Sequence, residues 1–100
     1  MSAFVLSPDS DEDIWTIWQY LAQDAGISVA NYIEAELYEA FETLARSPGI
    51  GHRRADLTAA PVFFFVAHQY MIVYRKSFPL EIAAVIHGKR NLPRILGERL

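Results

Sequence analysis

The sequence has no cysteine, which excludes a disulfide framework and thiolate metal sites and fits a reducing compartment. Lysine and arginine are missing from residues 1–45, which hold nine of the twelve carboxylates, and all nine basic residues fall in 46–100. A net charge of −3 therefore conceals an acidic half and a basic half suited to different partners. Long apolar runs are absent as well. The longest, Ala59–Ala67, is far below the roughly 20 residues that cross a bilayer. The opening Met1-Ser2-Ala3-Phe4-Val5-Leu6 has neither a basic stretch nor a long apolar core, so no signal peptide is expected. Together these absences point to a soluble, cytoplasmic protein with no membrane association.

What is present is a core-forming chain of 100 residues, 52% of them hydrophobic. That suffices for one domain spanning residues 1–100, with a modest core and no room for a second. Ala3-Phe4-Val5-Leu6 reads as a short strand. Ser7-Pro8 supplies a cap followed by proline at the first helical position, and Asp9, Asp11, Glu12 and Asp13 place negative charge where the helix dipole favours it. Ile14, Ile17, Trp18 and Leu21 follow the spacing of an amphipathic helix, and Gly26 ends it. A turn of about four residues, with Ser28 as the next cap, leads into a second helix. Its apolar positions are Val29, Ile33, Leu37, Ala40, Phe41 and Leu44, and Ser47-Pro48-Gly49 stops it.

After a polar, basic loop over residues 48–60, two runs near 61–66 and 69–75 are apolar on both alternating positions, as strands are when neither face meets water. They are close enough for only a hairpin turn between them. Lys76-Ser77-Phe78-Pro79 forms the next turn. The last strand alternates Leu80, Ile82, Ala84 and Ile86 on one side with Glu81, Ala83, Val85 and His87 on the other. Asn91 caps a short terminal helix that turns Leu92, Ile95 and Leu96 inward. The expectation is an α+β fold in the order β-α-α-β-β-β, a helical hairpin on one face of a small, largely antiparallel sheet, followed by a short C-terminal helix. One hairpin covers one sheet face, so a partner is expected to cover the other. The apolar and aromatic residues expected to meet it are Trp15, Trp18, Leu37, Phe41, Phe63, Phe65, Tyr70 and Ile72.

An ordered set of short motifs resembles the RelE/ParE toxin superfamily, its ParE-like branch above all. The set comprises Ser7-Pro8, the acidic run before Ile14-Trp15, Tyr20-Leu21, and Phe41-Glu42-x-Leu44 followed by Ser47-Pro48-x-x-Gly51-x-Arg53. It continues with Tyr70-x-Ile72-x-Tyr74-Arg75 and Val85-Ile86-His87-Gly88-Lys89-Arg90, so it spans almost the whole chain. The resemblance implies the toxin half of a type II toxin–antitoxin module. It also implies a cognate ParD-like antitoxin with a DNA-binding half, which alone contacts operator DNA, and a C-terminal segment that folds on the toxin.

Two modes of action occur in the superfamily: binding and poisoning of DNA gyrase, and ribosome-dependent cleavage of messenger RNA. An inactive homologue retaining only antitoxin binding is a third possibility. RNA cleavage needs an acid, a base and cations on the phosphate, for which His87, Arg75, Tyr74 and Arg53 are the candidates. The ribonuclease branch often has a histidine followed by tyrosine, or a tyrosine near the chain end, whereas here Gly88 follows His87 and no tyrosine lies beyond Tyr74. A negative net charge also suits a ribosomal RNA cleft poorly. Gyrase binding is therefore the favoured expectation, with Arg53, Arg54, His87, Lys89, Arg90 and Arg94 as target contacts. His52, His68 and His87 lack metal-ligand spacing, and no metal or cofactor is expected.

Overall fold

Ser7 is where the first strand becomes the first helix, and its side chain makes the change. In the computed structural model, which describes residues 3–100, the Ser7 hydroxyl accepts the Ser10 N–H at 3.1 Å. This cap, with Pro8 in the first turn, separates β1 (Phe4–Leu6) from α1 (Pro8–Ala25). Met1 and Ser2, the start of the stretch in which no signal peptide is expected, lie outside the described residues.

The expected four-residue turn capped by Ser28 is not what joins the helices. Gly26 does so alone, and Ser28 lies within α2 (Ile27–Arg46). With φ at 99°, Gly26 occupies a region that side-chain-bearing residues rarely enter, and one such residue is enough to reverse the chain. A 3₁₀ turn (Pro48–Ile50) follows α2, and then come β2 (Phe63–Ala67), β3 (Tyr70–Arg75), β4 (Leu80–His87) and α3 (Leu92–Arg99). The sheet order is β1-β4-β3-β2. Among the described residues only β1 and β4 pair in parallel: the α1–α2 hairpin carries the chain from β1 to β2 at the opposite edge, and β2 and β3 bring it back to β4.

The strands are apolar on both sides because the chain covers both faces of its own sheet. The hairpin covers one, packing Ile14, Leu37, Phe41 and Leu44 against Ile72, Tyr74 and Ile82. On the other, Val62, Leu92 and Leu96 close over Phe64, Val73 and Ile86, with Leu57, Ala60 and Ile95 beside them. The expectation that a partner must supply the second layer is thereby corrected. Strict alternation along β4 also fails. Val73 pairs with Ala84 but Tyr74 pairs with Ile82, leaving Ala83 as an unmatched bulge. Beyond it the sides exchange: Leu80, Ile82 and Val85 meet the hairpin, while Ala84 and Ile86 meet α3.

Candidate functional site

The bulged strand β4 is longer than its neighbour β1, which pairs only with Leu80–Ile82. From Ile82 onward the outer edge of β4 is served by side chains at i, i+3 and i+6, running from the cap residue Ser7 into the first turns of α1. Ser10 Oγ donates to the Ile82 carbonyl at 2.8 Å and Ser7 Oγ to the Ala83 carbonyl at 3.1 Å. Asp13 Oδ2 accepts the Val85 N–H at 2.9 Å. The same carboxylate receives both Arg99 nitrogens, at 2.7 and 2.8 Å, tying the end of α3 around the sheet edge to α1. That hydrogen bonding raises the Arg99 pKa further above its ordinary value. A groove of about 280 Å³ lies between these elements, with Glu12 and Asp13 on one wall and His87, Arg90 and Arg99 on the other. The sequence reading missed this ladder, although the Ser-x-x-Ser-x-x-Asp spacing was its visible signal.

The candidate catalytic residues do not converge. His87 stands opposite Tyr70, and Arg75 opposite Glu81, so five residues of β3, about 16 Å at roughly 3.3 Å per residue, separate them. The Nδ1 of His87 accepts the Lys89 N–H and its Nε2 faces Gln69 Oε1, both at 3.1 Å. Both ring nitrogens are thus engaged in holding the turn after β4. Tyr74 is fully buried. Its hydroxyl donates to the Pro48 carbonyl at 2.6 Å and accepts the Gly51 N–H at 3.0 Å, and burial raises its pKa above the ordinary phenol value. It is an internal clamp on the loop after α2, which also explains Gly51, since a Cβ there would collide with the Tyr74 ring. Arg75 pairs with Glu81 at 2.7 Å.

The basic candidates form two groups. Arg53 lies over the Phe63 ring, 5.8 Å from its centroid, and Arg54 is bound by Asp56. Lys89 and Arg90 extend from the turn after His87, where both are exposed and neither forms an ion pair among the described residues. Arg94 pairs with Glu98 along α3. His87 and its neighbours therefore belong to one end of the β3–β4 ladder, and Arg53 to the other, beside Phe63 and Tyr74. His52 pairs with Phe64 on the outer edge of β2, and His68 faces Glu36 across 3.3 Å.

Half of the residues expected to meet a partner are core residues instead. Leu37, Phe41 and Ile72 are fully buried and Tyr70 nearly so. They pack between hairpin and sheet and offer no surface. Phe63 and Phe65 are half-buried on the hairpin side of β2. Trp15 and Trp18 are different. Their rings stack 4° from parallel with centroids 5.9 Å apart, Trp18 Nε1 donates to Asn31 Oδ1 of α2 at 2.9 Å, and Trp15 remains 57% exposed. The indole pair therefore sits over the seam between α1 and α2.

Residues 4–92 match the family described as ParE toxin of type II toxin-antitoxin system, parDE. The chain belongs to the ParE toxin family. It is 29% identical to Toxin ParE1 of Caulobacter vibrioides (strain ATCC 19089 / CIP 103742 / CB 15) over 97 residues, 97% of this chain and all of that relative. The fold also matches a structure titled Chromosomal ParDE TA system from P. aeruginosa, with a TM-score of 0.71 and 14% identity, covering 87% of this chain and 96% of that one. The ParE family match ends where α3 begins, so the Arg99 end of the tie to Asp13 lies outside the matched segment. Among the described residues, no helix is long and apolar enough to cross a membrane.

Proposed function

We propose that this ParE-family chain acts by binding and poisoning DNA gyrase, and that a cognate antitoxin neutralises it by laying an amphipathic segment over the Trp15–Trp18 side of the helical hairpin. The observation that carries the mode of action is the dispersal of the acid–base groups. His87 and Arg75 stand at opposite ends of the sheet and Tyr74 is committed to Pro48 and Gly51, so no phosphate could meet all three. A toxin without an assembled acid–base site acts by occupying a surface of its target, and the net charge of −3 suits a protein target better than ribosomal RNA.

The stacked indoles support the antitoxin reading. A large apolar side chain left in water forgoes about 1.5–3 kcal/mol of burial, which an amphipathic segment lying across the hairpin recovers. That segment belongs to the half of the antitoxin that orders on binding, and operator DNA is met through the antitoxin's other half.

Purified chain added to a gyrase supercoiling assay is expected to inhibit supercoiling or trap cleaved DNA, and prior addition of the antitoxin is expected to prevent it. Undisturbed supercoiling at saturating chain, alongside codon-positioned cuts in a translating extract, would reverse the assignment of target.

A further inference from the structure

The β3–β4 turn holds the most exposed large hydrophobic side chain among the described residues. Phe78 is 96% exposed, whereas no other exceeds 63%. A single exposed apolar residue is ordinary on a protein surface, but three features set this one apart. First, its turn is tied at both ends: the Ser77 N–H donates to the Arg75 carbonyl and Ser77 Oγ to the Pro79 carbonyl, each at 2.9 Å. The backbone that presents the phenyl is thereby held, so the ordering cost of binding falls mainly on the side chain itself.

Second, the turn carries cationic charge. Lys76 Nζ sits 4.0 Å from the centroid of Phe63, and Arg53 approaches the same ring at 5.8 Å. Neither forms an ion pair among the described residues. Two uncompensated cations sharing one ring repel each other, and an incoming carboxylate relieves that repulsion. Third, the patch is remote from both surfaces already discussed. The indole pair lies on the hairpin, and His87, Lys89 and Arg90 lie at the opposite end of the β3–β4 ladder.

We infer that the β3–β4 turn is a target-docking element, in which Phe78 inserts into an apolar pocket of an acidic protein surface while Lys76 and Arg53 meet carboxylates on its rim. This rests on the reading above that the toxin acts by binding a protein. A nucleic acid strand fits the patch less well. Tracking a phosphate backbone takes a row of cations, and nine carboxylates in residues 1–45 oppose a polyanion over the rest of the surface. The arrangement is that of an interface anchor: one aromatic on a tied turn carries the affinity, and rim charges set the rate and salt dependence of association.

The test compares the full chain with Phe78→Ala, Phe78→Leu and the double variant Arg53→Glu/Lys76→Glu. Each is expressed without antitoxin at matched level and scored for growth arrest, and each is titrated against purified gyrase, against antitoxin and against a dT20 oligonucleotide. Phe78→Ala is expected to relieve growth arrest and to weaken gyrase binding on the order of 30-fold, with antitoxin affinity unchanged. Phe78→Leu should fall between, and the double charge reversal should slow association and flatten its salt dependence. Full toxicity and unchanged gyrase affinity in Phe78→Ala would overturn the inference while leaving gyrase as target. Relief of arrest by Phe78→Ala when the unaltered chain arrests growth but does not bind gyrase keeps the docking element and discards gyrase. Loss confined to dT20 binding, or an unaltered chain that arrests nothing, overturns the inference.

Discussion

The two faces of the sheet are covered to very different depths. On one side lie helices of 18 and 20 residues that bury Leu37, Phe41 and Leu44 completely. On the other lie an eight-residue helix and the segment around Leu57, Ala60 and Val62. A helix of eight residues has too few turns to be stable by itself, so α3 is ordered only while docked. What docks it is Leu92 and Leu96 underneath and the Arg99–Asp13 pair around the edge. The hairpin side is therefore the layer on which the fold depends, and the α3 side is a cover held at two points.

The largest test of that difference is Phe41→Ala, which empties the middle of the thick layer and is expected to cost about 3–5 kcal/mol. That is a large share of the roughly 5–15 kcal/mol holding a typical domain together. Denaturant unfolding should show a lower midpoint with a single transition. Leu96→Ala in the thin layer should cost less, about 2–3 kcal/mol, because α3 can shift to close part of the cavity. Its mark should be local, with hydrogen exchange accelerating over residues 92–99 while β3 and β4 keep their protection. If Leu96→Ala unprotects the strands as Phe41→Ala does, the two layers are one cooperative unit and the contrast fails.

The edge where the layers meet gives the next test. Asp13→Ala orphans the Val85 N–H and releases Arg99, and should cost about 1–2 kcal/mol, within the range for leaving a buried donor unpaired. Arg99→Ala leaves Asp13 bound to Val85 and should cost less than Asp13→Ala, measured by the same unfolding curves. A double-mutant cycle isolates the ion pair from the backbone bond. Equal losses from the two single variants would mean that Val85 gains nothing from Asp13.

Much of this organisation was legible in advance, and the exceptions share a cause. Ser7-Pro8 announced α1, Gly26 its end and Ser47-Pro48-Gly49 the end of α2, because caps and breakers act on the backbone next to them. Both-sided apolarity in β3 was also legible, but periodicity reports that a face is buried and not what buries it. The second layer was therefore assigned to a partner when Leu92 and Leu96 supply it. Ser28 was taken for a cap because serine is common there, yet a glycine with positive φ needed no four-residue turn. The β4 bulge could not be foreseen from β4 alone, since a bulge is a property of two paired strands. Tyr74 looked like a chemical group because tyrosine has one, and only the approach of Pro48 and Gly51 reveals its clamp.

The smallest effect expected is at Arg54 and Asp56, an exposed ion pair that joins no two layers. Hydrogen bonds from the Arg54 guanidinium, at 2.8 and 2.9 Å, hold the Asp56 carboxyl below its usual range. A carboxylate depressed in the folded state contributes stability above its unfolded pKa of about 3.9 and loses it as pH falls through the folded value. Whatever the pair contributes is therefore complete at neutral pH and disappears only in acid. Both groups are in water, where such pairs are weak. Arg54→Ala should return the Asp56 carboxyl, followed by NMR, to the ordinary aspartate range while the unfolding midpoint at neutral pH stays in place. A drop matching that of Arg99→Ala would show that the loop before β2 supports the sheet as firmly as the tie across its edge, and the division into a structural hairpin layer and a two-point cover would have to be redrawn.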